Sequence, residues 1–203
     1  MELKTAQARA RVQSSARNEA GAFSAPEKII AQFGLEEGHH VADFGTGSGH
    51  YALAAARAVG SGRVYAIDIQ PELLRRLKNL AHAEYLHNIY PLHGDFEKSG
   101  DTKLKEGSVD AVFLCNVLFQ LKDKEAALGE MKRVLRPKGR ALVVDWADSF
   151  GGLGPTPAEI LTENEAQALL ERAGFSVQRT INAGAHHWGV IARLQLTTAS
   201  STP

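Results

Sequence analysis

The segment VADFGTGSG at residues 41–49 decides the fold. Its apolar half predicts a short strand, three alternate glycines follow, and an Ala-rich helical pattern then runs over residues 51–59. Glycine permits positive φ and lets a ligand approach the main chain closely. The N-terminus of the next helix offers free N–H groups and positive potential. The segment therefore predicts a ligand-binding turn at the carboxyl end of a strand.

The spacing of these glycines narrows the kind of ligand. Dinucleotide-binding turns read G-x-G-x-x-G, whereas the third glycine here is Gly49 and the next residue is His50. The shorter spacing favours a small anionic group, such as an amino-acid carboxylate, over a pyrophosphate. A nicotinamide-dependent oxidoreductase would use the same type of sheet but requires the longer spacing, so it is the weaker alternative. A purely structural turn needs only one or two glycines.

Two acidic residues follow at the ends of later strands. Asp68 ends the strand pattern of residues 63–67, and its carboxylate suits a bidentate contact with both hydroxyls of a ribose. A helix-capping Asp is the structural alternative at this position. Asp95 and Phe96 follow a weak third strand, where an acceptor and an aromatic ring can contact an adenine, although Gly-Asp is also a common turn. The two sites together predict a nucleoside ligand.

Strand and helix patterns alternate along the rest of the chain. Ser24 is expected to cap a first helix that ends at Gly34, and Pro91 suggests that the third strand lies at a sheet edge. Alternation predicts a parallel sheet with helices on both faces, and a final pair of strands without a helix between them predicts an antiparallel edge. Strands are predicted at residues 40–44, 63–67, 89–92, 109–114, 140–144, 175–181 and 188–194, and further helices at residues 71–86, 124–135 and 163–173.

Composition and charge restrict the function classes. The 203 residues suit one domain, and 23 Lys and Arg balance 23 Asp and Glu, so the overall charge gives no indication of a nucleic-acid partner. The basic cluster within residues 132–140 flanks a predicted helix end and is interpreted as solvated surface. Cys115 is the only cysteine, which excludes an intrachain disulfide.

The chain ends and loops complete the predicted organisation. Residues 1–22 are expected to form an arm or helix, residues 23–196 the domain, and residues 197–203 a disordered tail. No apolar run approaches the ~20 residues of a membrane helix, and the N-terminus lacks an apolar signal region, so we expect no membrane span and a cytoplasmic location. The Gly- and Pro-rich residues 151–157 are expected to form a loop over the ligand.

Taken in order, these motifs resemble those of the class I S-adenosyl-methionine (SAM)-dependent methyltransferases. Within them the chain looks like the small-molecule group that includes ubiquinone/menaquinone-biosynthesis-type enzymes, over about residues 25–195. The resemblance implies a Rossmann-like doubly wound α/β sheet of seven strands, in the order 3-2-1-4-5-7-6 with strand 7 antiparallel. It also implies SAM as cofactor and a small-molecule methyl acceptor. The segments that carry it are VADFGTGSG at 41–49, VYAIDIQPELL at 64–74, HGDFE at 93–97, VDAVFLCNVLFQL at 109–121 and EMKRVLRPKGRALVVDW at 130–146.

The resemblance also assigns residues to the cofactor. By position, those that would line the methionine portion of SAM are Asp43, Gly45 and Gly47, with Gly49 opening the helix and Asn116 lying under the methionine toward the acceptor. Those that would hold the nucleoside are Asp68 on the ribose, Ile69 packed on the adenine, and Asp95 and Phe96 at the adenine edge.

The reaction implied is a direct in-line displacement, which needs a general base only if the acceptor must lose a proton. The candidates for that base are His50, Asp145, His186 and His187, of which at most one of the two adjacent histidines would face the site. His186 and His187 are adjacent on a predicted strand and point to opposite faces, so they are poor ligands for one metal ion, and no metal is expected. The segment that begins at Cys115 lacks the Asn-Pro-Pro-aromatic signature of amino-methyltransferases, which argues against N-methylation of nucleic acid. A non-catalytic SAM-binding protein of the same fold remains the alternative.

Overall fold

Seven strands form one sheet in a computed structural model that describes residues 25–149 and 154–195. The spatial order is β3-β2-β1-β4-β5-β7-β6, and β7 runs antiparallel to both of its neighbours, whereas the pairs among the first five strands are parallel. The predicted fold class is confirmed. The strands are β1 His40–Phe44, β2 Arg63–Asp68, β3 Ile89–His93, β4 Val109–Cys115, β5 Leu135–Trp146, β6 Phe175–Asn182 and β7 His187–Leu194.

Helices cover both faces of this sheet. On one face, α1 to α3 bury residues such as Phe33 and Leu77 against Val41 and Phe113 of the sheet. On the other face, α4 and α5 bury residues such as Met131 and Leu170. Two separate apolar cores therefore hold the sheet rigid between them. The helices are α1 Pro26–Phe33, α2 His50–Val59, α3 Pro71–Ala83, α4 Lys124–Val134 and α5 Glu163–Arg172, with a short 3₁₀ turn at Leu118–Gln120.

The observed element ends differ from the predicted ones at two places. Helix α3 ends at Ala83 rather than near residue 86, because Tyr85 adopts the left-handed region with φ 58°. The Pro137-Lys138-Gly139 segment does not separate helix from strand, because β5 begins at Leu135 directly after α4. The register with β4 jumps from Leu135 to Arg140, so the intervening residues form a bulge in which Lys138 has φ 67°.

Several expectations lie outside the described residues. They are the arm at residues 1–22, the first part of the 151–157 loop and the tail at 197–203. The N-cap of α1 is Ala25 rather than the predicted Ser24, because the helix begins at Pro26. Within the described residues, the carboxyl ends of β1 to β5 meet at one edge of the sheet, and this edge positions the site. No helix in the described ranges has the length and apolar character needed to cross a membrane.

Candidate functional site

The glycine turn after β1 lies at the centre of this edge. Gly45, Gly47 and Gly49 all have positive φ, at 70°, 52° and 82°. A Cβ on Gly45 would lie 2.7 Å from a methyl of Val117, and a Cβ on Gly49 would lie 2.4 Å from Leu77 Cδ1. A Cβ on Gly47 would meet nothing closer than a main-chain oxygen at 3.8 Å. Two glycines thus allow close packing within the protein, and Gly47 keeps its main chain open to a ligand.

Asp43 supports this turn from below. Its side chain is 2% exposed, and Oδ2 accepts a hydrogen bond from Thr46 Oγ1 at 2.7 Å. Burial raises the pKa of Asp43 to about 6, the charge of Asp68 adds to the rise, and the Thr46 bond opposes it. The buried carboxylate gives the floor of the site negative character, and a cationic ligand would stabilise it.

Asp68 connects the end of β2 to the glycine turn. Its Oδ2 accepts from Gly47 N–H at 2.9 Å and its Oδ1 accepts from Gln70 N–H at 2.9 Å. A carboxylate has about four acceptor positions, so each oxygen keeps one for a ligand hydroxyl. Asp68 can therefore bond to the main chain at the start of the next helix and still contact a ribose. Ile69 beside it is 59% exposed, which leaves its side chain available to pack on a planar group.

Asp95 and Phe96 lie beyond the end of β3. Asp95 Oδ1 accepts from Glu97 N–H at 3.0 Å, and Oδ2 pairs with Lys98 Nζ at 2.9 Å. Phe96 is buried and stacks on Phe44, with ring centroids 5.1 Å apart. The Phe96 ring thus anchors this loop to the core and fixes the position of its main chain.

Asn116 lies just past β4 in a strained conformation. Its φ is 59°, and its N–H donates to Val144 O at 2.8 Å. Its side-chain Oδ1 is buried and has no hydrogen-bond partner within the part of the chain that the structure describes. Leaving a buried acceptor unpaired costs about 1–3 kcal/mol, and backbone strain of this kind concentrates at ligand sites. A ligand N–H donor, such as an ammonium, would satisfy this oxygen.

These residues surround a cavity of about 1220 Å³. It brings together eight of the predicted site residues, with Asp43 and Gly49 supporting the turn from outside its wall. The predicted residues in the wall are Gly45, Gly47, His50, Asp68, Ile69, Asp95, Phe96 and Asn116.

The candidate bases occupy different environments. His50 lies in the cavity wall, exposed, with Nδ1 3.2 Å from Ser48 Oγ. Asp145 is buried outside the wall and accepts from Phe119 N–H and Trp146 N–H, both at 2.9 Å. Burial raises the pKa of Asp145 to about 6 against these hydrogen bonds.

His187 also lies outside the cavity wall. It is buried at the start of β7, where its ring lies against Trp146 with centroids 4.4 Å apart. The neighbouring His186 precedes the strand and pairs with Asp148 at 2.9 Å. Of these candidates, only His50 lines the cavity.

Several cavity residues were not predicted as site residues. Cys115 lies in the wall, and burial together with the charges of Asp43 and Asp145 raises its pKa well above its ordinary value. Gln120 of the 3₁₀ turn and Leu121 directly after it also line the cavity. Their position a few residues beyond the end of β4 is the one feature of the sequence that could have predicted this. Further wall residues are Tyr51 of α2 and an ion-paired group at the rim, Glu27, Arg57 and Glu84. The described residues contain no cluster of three or more His, Cys, Asp or Glu able to hold a metal ion.

Comparison with known proteins identifies the family of the chain. Residues 42–143 match the family described as "Methyltransferase domain". A SAM-dependent methyltransferase from Aquifex aeolicus has 33% sequence identity and a TM-score of 0.78, with 86% of this chain and 92% of that chain covered.

Curated relatives point to one group within that family. The 2-phytyl-1,4-naphtoquinone methyltransferase of Trichormus variabilis is 32% identical over 123 residues, which cover 59% of this chain and 52% of that protein. The ubiquinone/menaquinone biosynthesis C-methyltransferase UbiE of Pseudoalteromonas translucida is 31% identical over 125 residues, covering 59% and 47%. The chain thus spans about half the length of the curated relatives it matches. SAM is the cofactor that the family implies, and the chain belongs to the SAM-dependent methyltransferases.

Proposed function

We propose that the chain binds SAM in the large cavity and transfers its methyl group to a small-molecule acceptor. The observation that carries the proposal is the convergence of an open glycine, two strand-end carboxylates and an unpaired buried acceptor around one cavity. Each group matches one part of the cofactor. The residues are Gly47 and Asn116 for the methionine portion, Asp68 for the ribose and Asp95 for the adenine.

The residues that are present fit the charge of this cofactor. Asn116 Oδ1 would accept from the ammonium, and the Gly47 main chain leaves room for the carboxylate. Asp43 lies beneath the turn with a carboxylate that burial has destabilised. When bound, SAM would supply an electrophilic methyl group on its cationic sulfonium. The acceptor would attack the methyl carbon in line, and neutral S-adenosyl-homocysteine would leave. A cationic ligand above a buried carboxylate offsets the cost of ionising it.

Placement is the main contribution that the chain itself would make to catalysis. Holding two reactants in line is worth effective molarities of ~10⁵ M or more. Tyr51, Val117 and Leu121 would enclose the acceptor and exclude water from the reacting atoms. His50 would accept a proton at an imidazole nitrogen if the acceptor must lose one. Asp145, which holds the Phe119 main chain, would position the turn that contacts the acceptor.

The acceptor class is proposed from the relatives together with the cavity wall. The curated relatives are named for methylation of naphthoquinone-type and ubiquinone- or menaquinone-type compounds. Apolar and amide side chains from α2 and the 3₁₀ turn suit a flat ring with oxygen substituents. We therefore propose a reduced quinone ring as the acceptor class. The absence of a nucleic-acid partner and the cytoplasmic location stay predictions.

The experiment is to incubate the purified chain with SAM and a demethylated naphthoquinol, and to follow both products by mass spectrometry. We expect S-adenosyl-homocysteine and a ring that has gained one methyl group, in equal amounts. An Asp68→Asn variant, which lacks one carboxylate charge, serves as the matched control and should form less of both. SAM binding without either product, across a panel of quinols, phenols and amines, would instead indicate the non-catalytic alternative.

A further inference from the structure

A second cleft lies at the edge of the sheet opposite the cofactor cavity. It has a volume of about 330 Å³ and lies between the end of α1, the amino end of β4 and the bulge of β5. Its wall contains four basic side chains and two acidic ones. The basic residues are Arg136, Lys138, Arg140 and Arg193, and the acidic residues are Glu36 and Asp110.

One of the two carboxylates in this cleft is paired with a permanently charged side chain. Asp110 Oδ1 pairs with Arg136 at 2.6 Å, and Asp110 Oδ2 accepts from the main-chain N–H of His40 at 2.8 Å. Glu36 lies 3.7 Å from His39 Nε2, a contact that is an ion pair only when the imidazole is protonated. Within residues 25–149 and 154–195, no carboxylate lies within ion-pair distance of the remaining three cations. Lys138, Arg140 and Arg193 therefore outnumber the remaining carboxylate of Glu36, and the cleft carries net positive charge.

Two of these cations are held side by side by the sheet. Arg140 of β5 and Arg193 of β7 are directly opposite each other in the antiparallel register. Like charges directly opposite on neighbouring strands are destabilising. Burial, together with the charge of Arg193, lowers the pKa of Arg140 from its ordinary value. The arrangement costs stability in the free protein, and a bound anion would relieve that cost.

Of these three cations, Arg140 has a structural role in the fold. Arg140 donates to Phe33 O at 2.8 Å and to Gly34 O at 2.6 Å, and so caps the end of α1. A helix C-terminus favours such a cation. Lys138 and Arg193 make no side-chain hydrogen bond in the described part of the chain. Lys138 also occupies the left-handed region with φ 67°. Helix capping thus explains Arg140 but neither Lys138 nor Arg193.

We propose that this cleft binds a small phosphoryl anion, with Lys138 and Arg193 as its principal donors and Arg140 contributing its remaining N–H groups. Three cations that converge from the bulge and two strands suit the several acceptor oxygens of a tetrahedral dianion better than a planar carboxylate. The volume of about 330 Å³ accommodates a phosphate or pyrophosphate group but not an extended polymer. The site is independent of the methyl-transfer proposal, since none of its residues lines the cofactor cavity.

The test is calorimetric titration of the full chain with inorganic pyrophosphate, using a variant and a charge-matched control. The variant is Lys138→Gln/Arg193→Gln, which removes two cations from the cleft. The control is Arg76→Gln/Lys78→Gln, which removes the same charge from exposed positions of α3. We expect saturable one-site binding to the native chain and to the control, weakened about tenfold or more in the variant.

Three results would overturn the proposal. They are no heat of binding to the native chain, equal weakening by the variant and the control, or binding of an RNA duplex by a native chain that does not bind pyrophosphate. Far-ultraviolet circular dichroism and thermal unfolding confirm that both variants are folded. Because the pyrophosphate titration requires neither SAM nor an acceptor, its failure is distinguishable from failure of the methyltransferase assignment.

Discussion

Asp68 shows how one side chain serves the local structure and the proposed ligand together. Its two oxygens accept from the main chain of Gly47 and Gln70, which fixes the glycine turn against the end of β2. The residue also lines the cavity. A substitution at this residue therefore acts on the shape of the turn as well as on the ribose contact.

Asp68→Ala should weaken SAM binding by about 10- to 150-fold, because charged hydrogen bonds of roughly 1.5–3 kcal/mol are lost. Calorimetric titration with SAM measures the change. Glu72→Gln, which removes a carboxylate from the exposed side of α3, is the control and should bind SAM as the native chain does. Unchanged affinity in a folded Asp68→Ala protein would remove this residue from the ribose role.

Asp43 makes the stability of the free protein depend on pH. Its pKa rises from 3.8 to about 6 on folding, so the folded state holds a proton that the unfolded state releases in that interval. Stability should therefore decrease as pH rises from 3.8 to about 6, and remain lower above it, by about 3 kcal/mol for this residue. Asp145 contributes in the same direction.

Asp43→Asn should therefore increase the free energy of unfolding above pH 6, and leave it near the native value at the acid end of the interval. Asparagine keeps an oxygen for the Thr46 hydroxyl but carries no charge. Urea unfolding across the interval measures the difference between the two proteins. Parallel stability curves would show that the Asp43 carboxylate does not titrate in this way.

At the scale of elements, the start of α2 depends on how closely it packs on α3. Gly49 opens α2 with φ 82°, and the space for a side chain there is filled by Leu77. The position of Gly49 at the helix start was predictable from the sequence, but its neighbour in space belongs to another helix. Sequence spacing cannot indicate such a neighbour, because the contact exists only after α3 has packed against the sheet.

Gly49→Ala should destabilise the protein more than Gly100→Ala. Both positions have similar positive φ, 82° and 80°, but Gly100 has no atom within 4 Å of its would-be Cβ. The left-handed backbone alone costs about 1–2 kcal/mol for alanine, and the Leu77 overlap adds about 1–3 kcal/mol. Equal losses in chemical denaturation would show that packing on Leu77 does not matter.

Substitutions at the start of helix α5 test whether a region remote from the cavity can lose stability without a change in SAM affinity. Thr162 and Glu165 form a reciprocal capping box at its start. Thr162→Ala should lower the free energy of unfolding by about 1 kcal/mol without changing SAM affinity, since α5 does not line the cavity. Glu165→Gln can keep the box and should be close to native stability. A loss of SAM affinity in Thr162→Ala would show coupling that this geometry does not explain.

At the scale of the whole molecule, strand and helix positions were largely predictable because glycines, prolines and apolar periods mark them. The alternation predicted a covered parallel sheet with an antiparallel edge, and the full strand order came from the family resemblance; both are confirmed. The bulge at residues 136–139 was not predictable, since Pro-Lys-Gly also fits a turn that ends a helix.

The parts of the candidate cofactor site that the main chain forms were predictable from the sequence. The glycine turn and Asp68 were predicted as a ligand site from residue pattern alone, and both lie at the cavity. Asp145 and His187 belong to strand ends on the correct side of the sheet, but their side chains pack away from the cavity. Which side of a strand end faces a ligand depends on the neighbouring strands and loops, so sequence position alone could not decide it.

The most direct test of the central claim is calorimetric titration of the purified chain with SAM, S-adenosyl-homocysteine and NAD, after removal of any cofactor retained through purification. The proposed site predicts micromolar binding of SAM and S-adenosyl-homocysteine and no binding of NAD. Tight NAD binding, or no heat with any of the three, would contradict the assignment of this cavity to SAM.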